Sequence, residues 1–152
     1  MKTTWIACCL VAACVTTAVR AADRDEIAPD LRGKYTIVRG EKFGDKIPAE
    51  HFLGAQVQIT DRDIIVTDRD DKQTYVAKYK LDTRRRPWRI SMVSTLPANG
   101  QPGEGIVEIG DDECVKLIYA ISDGELPHDF KTKDKQLLFE LRPGNSLPDA
   151  PE

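Results

Sequence analysis

From Leu31 to Arg142 the chain alternates apolar and polar residues in about eight short runs. Tyr35 and Ile37 alternate with Lys34 and Thr36, and Val57 and Ile59 with Gln56, Gln58 and Thr60. Trp88, Ile90 and Met92 alternate in the same way with Arg89 and Ser91. A period of two sends successive side chains to opposite faces of a strand, so each run reads as a half-buried β-strand. The strands predicted are 33–38, 55–60, 64–66, 75–81, 88–92, 106–109, 115–121 and 137–142.

The intervening segments supply turn chemistry. Residues 40–46 and 68–72 read as turns, 97–105 as a glycine- and proline-rich loop, and 124–135 as a long polar connection broken by Pro127 and Phe130. Gly110-Asp111-Asp112 is a hairpin signal, because glycine and aspartate tolerate positive φ. Residues 48–54 form one helical turn, opened by Pro48 and ended by Gly54. No helical period persists for three turns. The expectation is an all-β protein, a small antiparallel eight-stranded barrel with one short helical turn, since closing such a sheet removes its exposed edges.

An eight-stranded barrel either fills its interior with side chains or holds one small ligand. The inward positions run from Tyr35 and Ile37 to Phe139 and Leu141 and include several bulky side chains, so a dry, filled interior is expected. Were the lumen open, Tyr75, Tyr79, Trp88, Met92 and Leu117 would line it.

The first 21 residues stand apart from this pattern. Lys2 precedes an uncharged apolar stretch from Trp5 to Thr17, too short to span a bilayer, and Val19 and Ala21 suit signal-peptidase cleavage after Ala21. Val11-Ala12-Ala13-Cys14 also has the form of a lipobox, in which Cys14 would be acylated; an uncleaved anchor is a third reading. Each takes the chain out of the cytoplasm, to the periplasm or beyond, and membrane contact is expected only through Cys14. The expected organisation is a signal peptide at 1–21, a flexible lead-in at 22–30, the barrel at 31–143 and a disordered tail at 144–152.

Removing the leader takes Lys2 and Arg20, leaving 20 basic against 25 acidic residues and a net charge of −5. A mildly acidic domain is a poor general binder of nucleic acid. Cys114 is then the remaining cysteine, so an internal disulfide is excluded and stability must come from burial.

The search for chemistry is mostly negative. There is no glycine-framed nucleophilic serine, phosphate-cradling glycine loop or paired-cysteine metal motif. His51 and His128 have no spacing that argues for a catalytic or metal pair. Asp61, Asp63, Asp68, Asp70 and Asp71, with Asp111, Asp112 and Glu113, lack the ligand spacing of a calcium loop and read as turn formers. Arg84-Arg85-Arg86-Pro87-Trp88-Arg89 is either a basic tip for an anionic group or a solvated hairpin end with Trp88 turned inward. Neither catalytic residues nor a cofactor or metal site is expected.

Several of these features, in order, resemble the lipocalin-like domains abundant in planctomycete bacteria. They are Leu31-x-Gly33-x-Tyr35, Lys46-Ile47-Pro48 before the helical turn, and Tyr79-Lys80-Leu81-Asp82 before a basic proline-containing turn. Gly105 to Ile109, Val115-Lys116-Leu117, and Pro127 with Phe130 before the last strand complete the set. The resemblance implies a barrel and export, without an established reaction or ligand. In related lipocalins the opening motif carries tryptophan beneath an arginine of the last strand. Tyr35 and Arg142 occupy the matching places, so the resemblance implies that they close the barrel base through a cation–π contact, weaker than with tryptophan. Two functional classes follow: a noncatalytic module binding a small apolar or amphipathic ligand, or a cell-envelope structural module with a filled barrel and a protein partner.

Overall fold

The computed structural model describes residues 30–98 and 100–144. The expected leader with Cys14, the lead-in before Asp30 and the tail beyond Gly144 lie outside the described residues. The strands are β1 (Gly33–Lys42), β2 (Asp45–Lys46), β3 (Gln56–Ile59), β4 (Asp63–Thr67), β5 (Gln73–Asp82), β6 (Trp88–Leu96), β7 (Pro102–Ile109), β8 (Val115–Ile121) and β9 (Gln136–Pro143). A single 3-10 turn, Ala49–His51, lies between β2 and β3. Among the described residues no helix is long and apolar enough to cross a membrane.

From β3 to β9 each strand pairs antiparallel with the next, and β1 joins both ends of the series. Its first residues pair with β3, Tyr35 opposite Val57, while Thr36 to Lys42 run against Arg142 to Leu137 of β9. The result is a closed antiparallel barrel of eight strands, with β2 as a short extra strand beside β1. The register defines two ends. The base carries residues 30–32, 60–62, 83–87 and 110–114; the mouth carries 43–44, 47–55, 68–72, 97–98, 100–101 and 122–135.

The predicted inward set packs as one core, from Tyr35 and Val57 to Leu117 and Leu141. Ala77 joins it on the inward face that alternation gives Tyr75 and Tyr79, and Leu31 and Ile64 join it from positions the alternation did not single out. A second, smaller cluster lies on the outer face, where Ile106, Ile118 and Leu138 pack beneath Phe130 of the 122–135 connection. Gln136, nearly inaccessible, fixes that cover: its side-chain oxygen accepts from Lys133 N at 2.9 Å and its amide donates to Glu125 O at 2.8 Å. Three strands are therefore buried on both faces.

Three boundaries differ from the expectation, each for a physical reason. β1 runs on through residues 40–42, which had read as a turn, because a bulge at Val38 shifts the alternation and sends Gly40 inward. A side chain at Gly40 would crowd Ile47, Phe139 and Phe52, so the small residue marks a packed crossing of rings. β6 extends to Leu96 and β7 starts at Pro102, reducing the 97–105 loop to residues 97–101. Gly103 and Gly105 are strand positions where another chain segment comes close, a use of glycine that mimics loop punctuation in a sequence.

Gly105 is the tightest case: a Cβ there would sit 1.9 Å from the Ile118 carbonyl oxygen. Gly105→Ala should therefore force β7 away from β8 and cost about 3 kcal/mol or more. Urea unfolding of the variant measures it; a midpoint equal to wild type would refute the close approach.

Candidate functional site

The barrel is solid in its lower half and hollow in its upper half. An apolar cavity of about 430 Å³ opens at the mouth, walled by Ile37, Val57, Ile64 and Val66 on one side and Met92, Leu117 and Leu141 on the other. The 3-10 turn brings Phe52 and His51 to its edge, and Asp68 and Thr74 complete the rim. Gly54, at φ +77°, ends that turn where Arg69 leaves no space for a side chain, so the turn packs directly against the β4–β5 loop. The expectation of a filled lumen thus holds for the base and fails at the mouth. Gly40 and Gly103 account for part of the difference, since both face inward beside bulky rings and add no volume.

The five lumen candidates divide between the two halves. Tyr75, Met92 and Leu117 line the cavity. Tyr79 and Trp88 pack below it, against the core. Tyr79 faces inward, but its hydroxyl donates to the Thr60 carbonyl at 2.6 Å and ties β5 to the β3–β4 turn. Trp88 lies beneath the Arg86 guanidinium, whose central carbon stands 5.6 Å from the ring centroid. Arg84 meanwhile pairs with Asp82 through a 2.8 Å contact, so the basic tip folds back on its own hairpin. That carboxylate is held well below its usual range by the Arg84 side chain.

Tyr35 and Arg142 meet in the sheet but do not form the closure implied by the resemblance. Thr36 is the residue paired with Arg142, and Tyr35 pairs with Pro143. Strand alternation then places the buried Tyr35 ring inside and the exposed Arg142 outside. Arg142 lies beside Cys114, where it opposes the upward push that burial and Asp112 exert on the thiol. Among the described residues the cation–ring contacts are Lys42 with Phe43 and Arg86 with Trp88. The base is instead plugged by Leu31, 3% exposed, whose carbonyl accepts from the Tyr35 hydroxyl at 2.9 Å.

Two of the aspartates, Asp68 and Asp112, brace their own turns. One Asp68 carboxylate oxygen accepts from Asp70 N at 2.9 Å and Lys72 N at 3.0 Å, and Asp112 accepts from Cys114 N at 3.1 Å. Among the described residues no three His, Cys, Asp or Glu side chains converge as a metal site would require.

All four tyrosines face inward, and they divide by the fate of their hydroxyls. Tyr35 and Tyr79 donate to backbone carbonyls at the base. Tyr75 and Tyr119 line the cavity, and neither hydroxyl has a hydrogen-bond partner among the described residues. Burial raises the pKa of both, and Tyr75 pushes Tyr119 further up. Alternation singles out Tyr75 as a lumen residue and gives Tyr119, within the predicted strand 115–121, an inward position without a role. The Phe139 ring stacks on Tyr119, centroids 6.5 Å apart.

Comparison with family models, with curated proteins and with solved structures found no match for this chain.

Removing one well-made buried hydrogen bond costs about 1 kcal/mol. Tyr35→Phe and Tyr79→Phe should each lose about that much stability in urea unfolding, whereas Tyr119→Phe should lose none because it breaks no such bond. Equal losses at all three positions would contradict the division between base and mouth.

Proposed function

We propose that this protein is an exported, noncatalytic, lipocalin-like barrel that binds one small apolar or amphipathic molecule in its upper half. The observation that carries this reading is the one-ended apolar cavity of about 430 Å³, within the roughly 300–1,000 Å³ of ordinary small-molecule sites. Its lower wall is a packed core that a ligand need not order, and its polar groups are few, an arrangement that favours uptake of a largely apolar body. Export, either by cleavage after Ala21 or with an acyl anchor at Cys14, and kinship with the planctomycete lipocalin-like domains belong to the same proposal. No cofactor is invoked.

Native mass spectrometry of the protein purified from its own envelope fraction tests the reading. A stoichiometric small molecule is expected, and the same spectrum reads whether Cys14 carries an acyl chain. In a second measurement the neutral dye N-phenyl-1-naphthylamine should fluoresce on entering the cup. Val66→Trp, which fills the cavity from its wall, should weaken that binding by about tenfold or more through lost apolar contact area. Absence of both a co-purified molecule and dye binding would favour the envelope interaction module.

A further inference from the structure

We infer that the cup selects an uncharged ligand carrying a hydrogen-bond acceptor, such as a ketone or ester carbonyl, which the hydroxyls of Tyr75 and Tyr119 receive inside the barrel. This inference rests on the reading of the cavity as a ligand site and adds the chemistry of the ligand.

Two observations carry it. The first is the unspent donor capacity of these two hydroxyls, set against the backbone partners of Tyr35 and Tyr79. Burying a hydroxyl without a partner is costly, so proteins seldom retain one where phenylalanine would serve. Among the described residues no sealed side-chain oxygen or nitrogen lacks a partner, so the two hydroxyls reach the cavity space rather than the packed wall. Tyr119 lies deep in the barrel yet keeps accessible surface, as expected of a side chain that faces an internal cup.

The second observation is the charge of the walls. The ionisable groups around the cup, apart from the two phenols, are Asp68 and His51, both at the rim. The Asp68 carboxylate is already engaged with its own turn. Among the described residues no lysine or arginine lines the interior, so a carboxylate head drawn down to the tyrosines would be buried without a counter-charge. Both phenols are held in the protonated, donating form by burial. An apolar body with a neutral acceptor therefore meets every group in the cup at the least cost.

The test uses the full chain and the dye N-phenyl-1-naphthylamine as reporter, displaced by 2-decanone or by decanoate, which is ionised at neutral pH. The ketone should displace the dye at lower concentration than the carboxylate. Tyr75→Phe and Tyr119→Phe should each weaken 2-decanone by about three- to tenfold, the range for one hydrogen bond, once each displacement is corrected for the dye affinity measured directly on that variant. Tyr79→Phe, which alters a hydroxyl already bonded to Thr60, should leave the ketone affinity at the wild-type value. Dye binding with equal ketone affinity in wild type and both cup variants would overturn this inference alone, as would preference for decanoate. Failure of the dye to bind the wild-type protein would instead overturn the ligand site beneath it.

Discussion

Closure of the sheet depends on one strand that has neighbours on both edges. β1 takes β3 along its first residues and β9 along the rest, joining segments about a hundred positions apart in the chain. Every inward side chain owes its burial to that junction, because an open sheet of this length would leave one face wet. The bulge at Val38 lets β1 serve both neighbours. It changes the phase of alternation midway, so the lower part presents Tyr35 and Ile37 to the core and the upper part presents Gly40. A bulky side chain in place of Gly40 would push Phe52 and Phe139 into the cup.

Two different jobs are separated along the barrel axis. At the base, Leu31 and the Tyr35 and Tyr79 hydroxyls complete a dry core whose polar atoms are paired within the protein. At the mouth, the ring of Tyr119 stacked on Phe139 and the ring of Tyr75 form walls instead of filling. The same residue type thus acts as a strut below and as a lining above. What decides between them is whether a backbone carbonyl stands within reach of the hydroxyl.

Much of this architecture was legible from side-chain periodicity. The eight barrel strands, their antiparallel order, the helical turn before β3 and the inward set all follow from alternation and turn chemistry. The difficult positions were glycines and doubly apolar runs. Gly103 and Gly105 looked like loop residues because a sequence does not reveal which glycine yields space to a neighbouring strand. Ile106-Val107, Leu117-Ile118 and Leu137-Leu138 place apolar residues at consecutive positions, which signals burial on both faces; the cover supplied by Phe130 and Gln136 explains them. The cavity was hidden because alternation gives the direction of a side chain but not the volume left between opposite walls. The placement of Arg142 fails for a simpler reason: a residue next to an inward leucine in a strand must face outward.

The division between a filled base and a hollow mouth has a consequence for how such a protein changes over time. The residues that hold the cylinder shut and the residues that would greet a guest occupy separate tiers, so drift in the upper tier need not erode folding. A lineage carrying this barrel can change Tyr75, Val66 or Thr74, and with them the shape of the cup, while the lower tier keeps the scaffold intact.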